Sequence, residues 1–237
     1  MKYKNLTIIG TSHIAKQSLD EVEKSINDIK PDIIAVELDR KRFFSLMNEK
    51  KRGFRFYDIR RIGVKGALFS LIGAWAEKKL GEYVGVAPGS EMMKAIRLAN
   101  NNKIQIRLID QDIEVTLKRF SKEFSWKEKW HILVDVVRGV IFRKKELESM
   151  GLEGFDLTKV PSKKVVKKLI KKVKERYPNL YKVLIEERNY YMASRLKRIM
   201  ANEPDKKIIA VMGAGHEDDV MRLVKGEVVN HKYDIII

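Results

Sequence analysis

Apolar positions fall into two kinds of run along this chain. Short unbroken runs, "LTIIG" (6–10), "DIIAVELD" (32–39) and "KKIIAVMGAG" (206–215), predict strands buried on both faces. "KIQIRLID" (103–110) alternates in the strand manner, and "YDIII" at the end of the chain predicts a last strand. Helical spacing fills the intervals. Leu19, Val22, Ile26 and Ile29 form the inward stripe of a helix from about Ala15 to Ile29, with Pro31 just past its end. Further helices are predicted through "RKRFFSLMNEK", "GSEMMKAIRLANNNK" (89–103) and "HEDDVMRLVK". Residues 112–200 carry helical patterns broken at Gly151–Gly154, Pro161 and Pro178. A strand–helix–strand start implies a parallel sheet. The expected fold is a single α/β domain over 1–237: a mainly parallel or mixed central sheet, flanking helices, and a helical insertion at about 112–200.

Composition narrows the setting. The 237 residues are 44% hydrophobic, enough for a core, and include no cysteine. Disulfides, thiolate zinc sites and a cysteine nucleophile are therefore excluded. No secretory signal is visible at the N-terminus. The apolar part of 62–89 runs about 15 residues and contains Lys65, against the roughly 20 that a spanning helix needs. A soluble, cytoplasmic protein without a membrane span is expected, with 62–86 either buried or the face of a homodimer. The net charge of +17 invites a reading as a binder of nucleic acid or of an anionic surface. However, the basic peak "KKVVKKLIKKVKER" (163–176) places Val165, Val166, Leu169, Ile170 and Val173 at helical spacing. A packed helix with a solvated lysine face explains that pattern, so no nucleic-acid partner is expected.

Candidate chemistry lies at the strand ends, where open α/β sheets gather ligands. His13 in "GTSH" and His216 in "GAGH" each follow a strand through a glycine turn. Glu37 ends the second strand and Asp110 the third. Each of these residues also suits a plainer role, as a cap on the next helix. The doubled G-x-x-H spacing favours convergence instead: two imidazoles and one or two carboxylates suit Zn, Mn, Co or Fe. Such an ion would acidify a bound water for attack on a carbonyl. Arg42, one turn past Glu37, and Arg188, in "EERNYYMASRL" (186–196), could hold an anionic group. Glu91 at a helix start and Glu187 are further carboxylates; in that last segment Tyr191, Ala193 and Leu196 are expected to pack inward. For these four the alternative is a structural ion pair or surface charge. The chain has no H-E-x-x-H, G-x-S-x-G or P-loop motif.

Six blocks in order, "IIGTSHIAKQSLDEV", "PDIIAVELDRKRF", "PGSEMMKAIRLA", "IDQDIEVTLKRF", "ERNYYMASRL" and "AVMGAGH", resemble the TraB/PrgY family, whose relatives include the GumN and TIKI proteins. That resemblance implies a metal-dependent hydrolase acting on a peptide or another amide or ester. A divalent metal (Mn, Co or Zn) would be held by His13, Glu37 and His216. Glu91 or Glu187 would serve as general base, and Arg42 or Arg188 would orient substrate or stabilise an oxyanion. The PrgY side of the family implies an alternative, a protein that binds and sequesters a peptide or small effector without turnover. The sequence departs from the family pattern in three places. Gln111 stands where relatives often carry arginine, "EDDVMRL" replaces the apolar-glycine continuation after "GAGH", and no hydrophobic membrane region follows, as expected of either a short soluble member or a truncated piece of a longer chain.

Overall fold

A computed structural model of the chain describes residues 1–11, 16–47, 89–141 and 163–227. The strands are β1 (Lys2–Tyr3), β2 (Leu6–Thr11), β3 (Ile33–Val36), β4 (Gln105–Leu108) and β5 (Ile208–Gly213). Among the described residues they form one mixed sheet in the order β1-β2-β5-β3-β4, in which only the short edge strand β1 is antiparallel. The last of these strands in the sequence, β5, occupies the centre. Its Ile208 pairs with Leu6 on one side and Ile33 on the other, and the register continues to Thr11 opposite Gly213.

Both faces of the sheet are covered, which is why its strands read as unbroken apolar runs. Ile208, Ala210 and Met212 join Leu6, Ile8, Ile33 and Ala35 on one face. They pack against Met192, Ala193 and Leu196 of α8 (Glu187–Asn202) and Val220, Met221 and Val224 of α9 (Glu217–Lys225). Ile209 and Val211 turn the other way, with Ile9, Ile34 and Val36. There they meet Val22 and Ile26 of α1 (Lys16–Ile29) and Met92, Ala95, Ile96 and Ala99 of α3 (Ser90–Asn101). α2 (Arg40–Met47) follows β3. Tyr191 does not pack inward as expected but is 39% exposed. The phase of α8 is set by Met192 and Leu196, which leaves Tyr191 one position off the stripe.

The 112–200 region is helical where described: α4 (Ile113–Glu123), α5 (Trp126–Ile141), α6 (Lys163–Arg176) and α7 (Pro178–Tyr181), then a π-helical turn at Lys182–Glu186 leading into α8. Pro178 opens α7 at a position where its missing N–H costs nothing. The expected breaks at Gly151–Gly154 and Pro161, the 62–86 homodimer face and the "YDIII" strand lie outside the described residues. No helix among the described residues is long and apolar enough to cross a membrane.

This topology sets what meets at the sheet's carboxyl edge. α3 leads into β4 and α8 into β5, while α9 leaves β5. β4 and β5 both run parallel to β3, so the first turns of α3, α8 and α9 lie at that edge. Among the described glycines, Gly10 permits the closest approach. A Cβ there would lie 2.5 Å from Glu217 Oε2 and 3.2 Å from Ala214 Cα.

Two predictions follow from this packing. Gly10→Ala should cost about 1–3 kcal/mol by overpacking, and adding Glu217→Ala should recover part of it; denaturant melts of the single and double variants measure both. Equal loss in the two backgrounds would rule out this contact. The second concerns Glu128, buried in the first turn of α5. It accepts from Ser125 N (3.1 Å) and Oγ (2.9 Å), and from Asn179 N (2.7 Å) and Nδ2 (3.0 Å), so it caps α5 and α7 together. Burial pushes its carboxyl up, but the Asn179 and Ser125 hydrogen bonds outweigh that and hold it below the usual glutamate value. Its contribution is therefore complete above the unfolded pKa and lost as pH falls through the lower folded one. Glu128→Gln should destabilise at pH 7 and much less at acid pH. A penalty independent of pH in the same melts would contradict this assignment.

Candidate active site at the carboxyl edge of the sheet

Glu37 follows β3 directly and is 5% exposed. Its Oε2 accepts the Gly213 amide at 2.7 Å, tying the end of β3 to the end of β5. Its Oε1 accepts from Arg188 Nη2. The same guanidinium reaches the end of β4, donating from Nε to Asp110 Oδ1 at 3.0 Å and from Nη2 to Asp110 Oδ2 at 2.7 Å. Its Nη1 donates to the Leu184 carbonyl in the π-helical turn (3.1 Å), which ties the guanidinium to the turn preceding α8. A second guanidinium closes the set. Arg42 donates from Nε to Asp39 Oδ2 at 2.6 Å and from Nη2 to Asp110 Oδ2. Asp39 in turn caps α2, accepting from the Lys41 and Arg42 amides at 2.7 and 3.1 Å.

Burial by itself would lower the pKa of Arg188, but Glu37 and Asp110 more than reverse that, and it lies above the ordinary arginine value. Arg42 is raised in the same way: burial opposes, Asp110 prevails, and the neighbouring Arg188 charge takes back part of the gain. Both guanidiniums therefore stay charged. Two guanidiniums thus face three carboxylates in a chain whose formal total is +17.

His216 is the N-cap residue of α9, yet its side chain makes no capping hydrogen bond. Its Nδ1 lies 2.6 Å from Asn189 Oδ1. An amide oxygen only accepts, so Nδ1 carries the proton and Nε2 is left with its lone pair while the ring is neutral. Nε2 lies 3.5 Å from Glu37 Oε1. An imidazole nitrogen with its tautomer fixed by an amide, beside a carboxylate oxygen, is the donor chemistry of a divalent metal site. The pair fits two ligand positions for Mn, Co or Zn, although Arg188 shares the same carboxylate oxygen. Among the described residues no three His, Asp or Glu groups are arranged to hold a metal ion. His13 lies outside the described residues.

Of the residues singled out in the sequence, Glu37, Asp110, Arg42, Arg188 and His216 thus form one connected set. Glu187 faces elsewhere: Arg119 grips it bidentately, from Nε at 3.2 Å and Nη2 at 2.5 Å. Glu91 is 1% exposed in the first turn of α3, on the same edge as Glu37. Sequence reasoning missed Asp39 and Asn189. Asp39 immediately precedes a helix, in cap position. Asn189 is a polar residue on the stripe of Met192, Ala193 and Leu196, a buried amide that needs a partner.

Comparison with known proteins agrees with the block order in the sequence. The model of the TraB/PrgY/gumN family matches residues 2–224. An uncharacterized protein of Methanocaldococcus jannaschii is 38% identical over 93% of this chain and 53% of its own length. TraB domain-containing proteins of Bos taurus and Homo sapiens are 24% and 23% identical, each over 88% of this chain and 59% and 60% of their own lengths. The chain therefore spans only about half to three fifths of these relatives. With the match running through nearly every described element, from β1 to the last turn of α9, this α/β chain belongs to the TraB/PrgY/gumN family.

Proposed function

We propose that the chain is a metal-dependent hydrolase of peptide or other amide or ester substrates, with Mn, Co or Zn held by His216, Glu37 and His13. The observation that carries this reading is the His216 ring, buried at the sheet edge, with Nδ1 fixed by Asn189 and Nε2 facing Glu37. When bound, such an ion supplies a water acidic enough to attack a carbonyl at neutral pH. The chain's own groups do the rest. Arg42, 34% exposed on its side chain, is the more accessible guanidinium and orients the substrate or meets developing oxyanion charge. Arg188 holds Glu37 and Asp110 in place. Glu91 is the stronger candidate for general base, since Arg119 already engages Glu187.

One observation favours the alternative, sequestration without turnover: Arg188 already neutralises the Glu37 oxygen that would bind the ion. Metal content separates the two readings. Protein purified without a polyhistidine tag should retain close to one equivalent of metal by mass spectrometry, and His216→Ala should lose it while its thermal melt shows a folded protein. Asn189→Ala should weaken metal binding by roughly 10–100-fold through loss of tautomer control. A chain that holds no metal and shows no affinity for added Mn, Co or Zn would leave the sequestering role.

A further inference from the structure

We infer that α5 presents a docking face for an anionic membrane surface, built on Trp126 and Trp130. Their rings are the most exposed large apolar side chains among the described residues, at 82% and 65%. They stand four positions apart on one helix, so both leave the same side of it. The other side of α5 is tied to the body by polar contacts. Glu128 binds Ser125 and Asn179, His131 Nδ1 meets the Arg176 carbonyl at 3.2 Å, and Asp135 is held by Arg176 and Tyr177. The helix is thereby fixed with its two indoles directed outward. That placement is unusual, since a tryptophan buries about 150–250 Å² when it packs.

The charge around the rings points to what covers them. Lys129 Nζ sits 3.7 Å from the centre of the Trp126 ring, and Lys127 is exposed between the two tryptophans in sequence. Indole rings set among lysines match the bilayer interface, where the ring enters the headgroup region and the ammonium meets anionic lipid. The two lysines beside the rings favour a negative surface over a second copy of this basic chain. α5 lies away from the Glu37 cluster in sequence and contacts, so the inference stands independently of any hydrolytic activity.

The test uses the full chain with phosphatidylcholine vesicles, with and without phosphatidylglycerol. Co-sedimentation with the anionic vesicles is expected, together with a blue shift of indole fluorescence read in a Trp75→Phe background. Trp126→Ala/Trp130→Ala should weaken binding by about tenfold or more while the thermal melt stays unchanged, since both rings are exposed. Added salt should weaken it further. Four results would overturn the inference. They are no binding to anionic vesicles, binding unchanged in the double variant, the same fluorescence shift with single-stranded RNA but not with vesicles, or a dimeric mass that the double variant abolishes.

Discussion

Arg188 is the group on which the carboxyl edge of this sheet depends. It enters from α8, binds Glu37 at the end of β3 and Asp110 at the end of β4, and is anchored to the π-helical turn behind it. Glu37 extends the link to β5 through the Gly213 amide. Three strand ends and one helix are thus joined through charged groups almost wholly withdrawn from water. Such an arrangement is demanding. Without Arg188, Glu37 would be a buried, uncompensated charge and Asp110 would keep only Arg42, and pairing inside a protein repays desolvation only when geometry and hydrogen bonding are good. The cluster meets that condition by spending every Arg188 nitrogen on a named acceptor. Its return is positional: Glu37 and His216 are held within reach of each other on a rigid scaffold.

Much of this edge was legible in the sequence, for a physical reason. Apolar runs such as "DIIAVELD" and "IIAVMGAGH" end in a charged or turn-forming residue where the chain leaves the sheet, and that places Glu37 and His216 on one edge. The strand order was not legible. Nothing local in β5 says that it will insert between β2 and β3, because parallel pairing is decided by contacts far apart in sequence. Pairings across the chain were hidden in the same way. Glu187 and Arg119 are 68 positions apart, so Glu187 read as a site candidate while its carboxylate is engaged by Arg119. Within α8, one position of helical phase separated the exposed Tyr191 from the buried Met192. Periodicity marks an apolar stripe but not whether anything covers it, which is why Trp126 and Trp130 gave no warning of their exposure.

Charge is distributed in opposition across the molecule. The exterior is rich in lysine, while the buried set at the sheet edge carries more carboxylates than guanidiniums. A basic surface is consistent with long-range attraction of anionic partners. These are separate properties of separate regions, and the family relationship by itself fixes neither.

The most direct measurement is the stability of Arg188→Met by urea denaturation, beside the triple variant Glu37→Gln/Asp110→Asn/Arg188→Met. If Arg188 joins the strand ends as described, the single variant should lose about 3–5 kcal/mol, and neutralising the two carboxylates should recover much of that loss. A single variant within about 0.5 kcal/mol of the parent, the range of ordinary surface substitutions, would contradict the account.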